Sequence, residues 1–417
     1  MLRVAALFWL FVIWAPLAAK AETNIFARDT VQGIVDLRLG ASDGPRSWVN
    51  GGFGKTRFGG AGSGLAARAT VAALDLVWKP ELSEDLSLVI DALAQPHAQR
   101  GIDIAESYLL YRPVPTSPLR VSARAGLLYV PISLEHDAAP GEPWTVVNTI
   151  TPSAINSWVG EELKVLGAEA TLAHPVGGAN MAATLGVFGY NDTSGTLLSV
   201  RGWAFDDVIA TAGSKFVLPP LNRFARRPQA PVTIPVTDLD HRAGWYGRLE
   251  MTLPGLASVN AEWYDNNGDR RAARKRQWSW DTKFLNIGAE APLPGGVTLS
   301  GQLMSGRTAM GYPRGASWWF DVYFQSAYGA VSRKFGSDTV TARFDSFRTR
   351  NRPLPVTEDY SESGTAALLC WKHPVGTRAS LLVEALSTQW RRPSLATFQM
   401  QPKQNQTTLQ IAWRLAL

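Results

Sequence analysis

The chain ends on eleven residues, Thr407 to Leu417, that alternate in polarity to the final position. Leu409, Ile411, Trp413, Leu415 and Leu417 share one face of an extended strand, and Thr408, Gln410, Ala412, Arg414 and Ala416 share the other. An uncapped apolar strand at a chain end is an edge that pairs with whatever it meets. It is safe when it closes against the first strand of its own chain with one face in hydrocarbon. After the first apolar run, no stretch approaches the roughly 20 apolar residues of a membrane helix. A membrane-integral form of this chain must therefore be an all-β, antiparallel transmembrane barrel.

Turn signals give the strand number. Tight Pro/Gly turns fall at 79–85, 113–118, 174–179, 253–255, 292–296, 334–338 and 373–377. Longer polar segments fall between them, at 41–64, 96–101, 131–161, 191–240, 266–278, 308–318, 349–362 and 390–406. Seven turns and eight loops need sixteen strands, with short turns at one end and long loops at the other, as in bacterial outer-membrane barrels. The intervening runs alternate: Trp245, Gly247, Leu249 and Met251 oppose Tyr246, Arg248 and Glu250, for example. Strands at 65–78 and 363–373 alternate less clearly, and their faces are not assigned from the sequence.

Residues 1–21 read as a secretory signal peptide: Arg3, an apolar run from Val4 to Ala15, Pro16, and Ala19-Lys20-Ala21 before Glu22. The mature barrel is then 22–417, exported to the outer membrane of a Gram-negative cell. Without Arg3 and Lys20, 39 basic residues face 35 acidic ones. This mild excess argues only weakly for anionic partners. Cys370 is the sole cysteine, so no internal disulfide or zinc pattern exists, and no cofactor or metal is expected.

Alternation places Arg38, Arg68, Arg120, Arg124, Arg248, Arg343 and Arg414 on the lumenal face. It also places Asp36, Asp91, Glu169, Glu250, Glu262, Glu290, Asp345 and Glu384 there. Arg38, Arg120, Arg124, Arg248, Arg343 and Arg414 are the candidate channel-lining cations. A wall charged in this way implies a water-filled lumen, unless the charges pair and brace the barrel. The loop 131–161 follows the fifth strand, carries no Lys or Arg through residue 160, and holds Glu135, Asp137 and Glu142. It is long enough to fold inward as a constriction. Basic clusters lie at Arg223, Arg226 and Arg227 and at Arg270, Arg271, Arg274, Lys275 and Arg276. They suit either an anion-concentrating funnel or contact with lipopolysaccharide phosphates. Nucleic acid is not an expected partner of an exported barrel.

The stretch RAGLLYVPISLE resembles the fifth-strand region of the phosphate-selective porin O/P family, through Arg124, Gly126, Pro131, Leu134 and Glu135. The resemblance implies a sixteen-stranded homotrimeric channel with phosphate selectivity set by lumenal arginines and constriction lysines. Arg120 and Arg124 match the arginines by position. The lysines have no counterpart in 131–160. Leu128 and Pro131-Ile132-Ser133 depart from the family pattern, and the chain ends on Leu417 rather than an aromatic residue.

The expected function is passive diffusion of small hydrophilic solutes or ions, anions such as phosphate among them. The competing reading is a non-conducting barrel acting as adhesin or scaffold. An enzyme is not expected: His174 and His373 sit in matching HPVG turns, and His241 follows Asp238 and Asp240 without a nucleophile pattern.

Overall fold

The computed structural model describes Ile25 and residues 27–60, 62–96, 101–137, 139–352 and 359–417. The leader 1–21 lies outside the described residues. Sixteen strands close into one antiparallel barrel. They are β1 (Val31–Gly44), β2 (Gly62–Trp78), β3 (Leu86–Ala94), β4 (Asp103–Tyr111), β5 (Arg120–Tyr129), β6 (Lys164–Val176), β7 (Ala179–Gly189) and β8 (Gly244–Leu253). They continue with β9 (Ala257–Asp265), β10 (Asp281–Leu293), β11 (Val297–Arg314), β12 (Ser317–Phe335), β13 (Asp338–Asn351), β14 (Glu362–Val375), β15 (Ala379–Arg391) and β16 (Lys403–Ala416). Each strand pairs with its sequence neighbours, and β16 closes on β1, with Asp36 opposite Arg414 and Gly40 opposite Gln410.

All seven expected tight turns join strands at one end. One expected loop is absent. Residues 308–318 continue β11 and β12 into a hairpin that turns at Gly315 and Ala316. Beyond the bulge between Met310 and Pro313, Phe320 packs on Trp280 and Trp319 on Trp278, which keeps the strands paired there.

The outward face meets lipid. Leu37, Leu39, Leu76, Leu185, Leu249, Trp263, Ile287, Leu369 and Ile411 are all exposed, as a hydrocarbon-facing belt requires. The chain is, by fold, a bacterial outer-membrane β-barrel. Strand β2 is hard to read because a register shift opposite Asp36 and Leu37 swaps its outward series from Leu65 and Val71 to Leu74 and Leu76. Strand β14 is hard to read because both faces are apolar: Leu369 points out while Leu368 and Cys370 are buried inside.

The inward residues are not all solvated. One apolar cluster joins Val89 and Leu93 on β3, Phe188 on β7, Phe284 on β10, Phe324 on β12, Leu368 on β14 and Leu382 on β15. Residues from the long loops fill the space between these walls. Half-exposed inward side chains, such as Arg248, Glu250 and Thr252, lie toward the short-turn end. The solvated lumen expected from the wall charges is therefore confined to that end.

Candidate functional site: the loop-filled lumen

The segment 130–163 between β5 and β6 runs inside the barrel. It carries helix α1 (Ala154–Glu162), every residue of which is buried. The helix starts where the sequence allows it, with the Ser153 hydroxyl accepting from the Asn156 backbone N–H. The wall supplies the other caps. Glu384 on β15 accepts from the backbone N–H groups of Ile150 (2.7 Å) and Thr151 (3.0 Å). Asp345 on β13 accepts from that of Ala154. Glu135, within the loop, accepts from Ser153 (2.7 Å) and from the Asn156 side chain (2.6 Å). Asp345 and Glu135 thus lie at the positive end of α1, where anions are favoured, and Glu384 fixes the segment leading into it.

Arg343 joins them. Its guanidinium lies 2.7 Å from Glu135 and 2.9 Å from Asp345, and it donates to the carbonyls of Thr151 and Pro152. Arg414 lies 3.0 Å from Asp36 and donates to the carbonyls of Val146 and Thr149. Arg38 bridges Asp36 (2.5 Å) and Asp207 (2.7 Å), and Arg57 adds a second contact to Asp207. Those neighbouring arginines hold the Asp207 carboxyl well below the usual carboxylate range against the opposing effect of burial.

Arg124 pairs with Glu169 at 2.6 Å and donates to the Tyr129 carbonyl. Arg248 pairs with Glu250 and donates to the Pro131 carbonyl. Arg120 is exposed at the start of β5 and joins none of these networks.

The three loop acids separate. Glu135 is paired with Arg343. Asp137 is exposed, on a two-residue ladder pairing His136–Asp137 with Thr145–Val146. Glu142 meets the Gln32 amide near the start of β1. That hairpin descends to the short-turn mouth, where Lys79 of the first turn donates to the Pro140 carbonyl. Among the described residues, Glu135 is the one of the three that meets a lumenal arginine.

The sequence reading missed the second half of the plug. Residues 191–211, in the connection between β7 and β8, also pack inside and carry the short helix α2 (Thr196–Val200). Glu161 holds Arg201 through two contacts of 2.6 Å. Glu162 accepts from the Trp158 indole and from the backbone N–H groups of Gly195 and Leu197. Trp158 packs edge-on against Trp203, Phe284 and Phe324. The available signal was Glu161-Glu162 at the end of a run free of cations, with Arg201 and apolar Trp203 and Phe205 in the next loop.

Motif residue Gly126 has φ +150°, and a side chain there would strike the Ser107 carbonyl and Tyr108. Only glycine lets β5 lie this close to β4. At the long-loop end the two basic clusters meet. Ala230 donates to the Arg276 carbonyl, Trp278 to that of Pro228, and Arg276 to that of Arg226. Lys275 and Arg276 form the tip of a two-residue hairpin turn with φ of 52° and 59°, strained for residues with side chains. His241 contacts Asp238 at 3.0 Å in an exposed position.

No protein-family model and no curated protein matches the chain. Solved structures do. The outer membrane channel DcaP of Acinetobacter baumannii is 10% identical, with a TM-score of 0.57 over 93% of this chain and 96% of that one. An anion-selective porin from Comamonas acidovorans is 12% identical, with a TM-score of 0.48 over 93% and 99%. The first likeness shows a shared porin-like barrel fold. It assigns no role to any residue of the lumen.

Proposed function

We propose that this chain is an outer-membrane channel for small hydrophilic solutes or ions, held shut or tightly constricted by its own inward loops. The observation that carries this reading is the attachment of segment 130–163. The loop is fixed to the wall by Glu384, Asp345, Arg343 and Arg414 through hydrogen bonds to its backbone. Buried ion pairs stabilise a fixed structure less well than apolar packing of the same volume. They suit a loop whose position governs passage. A sixteen-stranded wall is also wide enough to leave an aqueous path when its loops shift.

Selectivity for phosphate gains no support from the wall, because Arg38, Arg124, Arg248, Arg343 and Arg414 each contact a carboxylate. Any preference for anions is better placed at the outer mouth, where Arg223, Arg226, Arg227, Arg271, Arg274, Lys275 and Arg276 are exposed. Homotrimeric assembly, as the family resemblance implies, is part of this proposal.

The second reading, a non-conducting scaffold, is favoured by the apolar cluster that spans the barrel. Planar-bilayer recording on the folded protein separates the two. Stepwise currents are expected, and their absence from both the wild type and Arg343→Ala would reject the channel. Reversal potential under a salt gradient then gives the ion sign.

A further inference from the structure

The outer face of β12–β16 breaks its apolar pattern near the long-loop end. Cross-strand register places Gln325 opposite Arg348, Arg348 opposite Ser363, Ser363 opposite Arg391, and Arg391 opposite Lys403. All but the half-buried Gln325 are exposed. Like charges directly opposite on neighbouring strands are destabilising, yet Arg391 and Lys403 form such a pair with no carboxylate contact among the described residues. Arg348 donates through Nε (2.7 Å) and Nη2 to Gln325, which leaves Nη1 without a partner among the described residues.

One step toward the short turns, the outward row is Ser346, Thr365, Gln389 and Asn405. Further down come Phe344, Leu369, Leu409 and Ile411, all exposed. The two polar rows line a groove of about 700 Å³.

The height of the cations identifies what they face. Lys403 stands ten residues from Trp413 along β16. That is about 34 Å along the strand, or about 26 Å along the membrane normal at a tilt of roughly 40°. An apolar belt is about 25 Å tall and edged by aromatic residues. With Trp413 at the lower interface, Lys403 lies at the outer-leaflet headgroups, and the row from Lys403 to Arg348 slopes across about 9 Å of height with the strand tilt.

We propose that this face binds a phosphorylated glycolipid of the outer leaflet, the lipid A chemistry of lipopolysaccharide. Its phosphate lies on Arg348, Arg391 and Lys403, where charge-assisted hydrogen bonds are strongest. Its sugar hydroxyls and amides meet Thr365, Gln389 and Asn405. Its acyl chains lie along Phe344, Leu369 and Leu409. The bound phosphate relieves the Arg391–Lys403 repulsion that the bare strands carry.

Native mass spectrometry of the folded full chain tests this, with bisphosphorylated lipid A and with the same lipid after removal of its phosphates. The combined variant R348Q/R391Q/K403Q should lose bound lipid A at least tenfold. Arg333→Gln, which removes an outward cation near the short turns, should retain it. Dephosphorylated lipid should bind the wild type no better than lipid A binds the variant. Because the substituted side chains face outward, heat-modifiable gel mobility should show all variants folded. Undiminished binding by the combined variant would overturn the site. Equal binding of dephosphorylated lipid would reduce it to acyl solvation, and displacement by millimolar inorganic phosphate would mark a free-anion site instead. Either outcome would reject the proposal.

Discussion

Arg343 on the barrel wall and Glu135 in the lumenal loop lie 2.7 Å apart, although 208 residues separate them in the chain. The Arg343 side chain is fully buried, and it also binds Asp345 and two loop carbonyls. Removing one partner of such a pair leaves a buried charge and costs about 3–5 kcal/mol. Arg343→Ala should therefore free the start of α1, lower the thermal midpoint, and raise single-channel conductance. Bilayer recording and thermal denaturation in detergent check both effects. A variant with unchanged conductance would show that this contact does not hold the path shut.

Trp158 sits at the centre of the plug, in edge contact with Trp203, Phe284 and Phe324 and fully buried. Trp158→Ala should cost about 3–5 kcal/mol through lost burial and the cavity left behind. Trp158→Phe should recover most of that. The barrel strands themselves should stay paired, so the loss should show in near-ultraviolet circular dichroism before the far-ultraviolet β signal changes.

How much of this was legible in the sequence depends on which solvent a residue meets. The outward face of β16 alternates cleanly because lipid and lumen differ in polarity, so Leu409, Ile411 and Trp413 could be assigned to lipid and Arg414 to the lumen. The β14 pattern blurs because Leu368 and Cys370 face an apolar plug rather than water. The segment after β5 could be read as inward-folding from its length and its place after the fifth strand. The filling of the lumen by residues 191–211 could not. It rests on pairings such as Glu161–Arg201, between segments 40 residues apart, and no local period encodes them. Lumenal charges looked like a hydrated wall because pairing partners such as Asp207 lie in loops, where alternation gives no guidance.

His136 makes the lumenal hairpin sensitive to pH. Its imidazole stacks on Trp144 at 4.8 Å, and burial pushes its pKa down to about 4 against the opposing pull of Glu135 and Asp207. The undocked hairpin takes up a proton near the ordinary value of about 6.5. The undocked state therefore binds more protons between these values, and docking weakens as pH falls from about 6.5 toward 4. The full effect is on the order of 3 kcal/mol. Conductance should rise over that interval, and His136→Phe, which keeps the stacking surface without the titration, should flatten the response. An identical pH profile in the variant would assign the effect to other groups.

The outer basic cluster should act on ions before they reach the plug. Arg274, Lys275 and Arg276 are exposed on a hairpin that the Arg226 and Pro228 carbonyls tie to the neighbouring loop. Such a patch raises the local anion concentration, and salt screens it over a Debye length of about 10 Å at 0.1 M. Replacing Arg274, Lys275 and Arg276 with Gln should shift the reversal potential toward cations, by roughly twofold in permeability ratio at low salt. The shift should disappear near 1 M, where the screening length is about 3 Å. The same substitutions should leave the unfolding free energy within about 0.5 kcal/mol of the wild type, as expected for exposed side chains. They should also relieve mutual repulsion at a turn whose backbone is already strained. A reversal potential unmoved at low salt would confine this cluster to contacts with membrane phosphates.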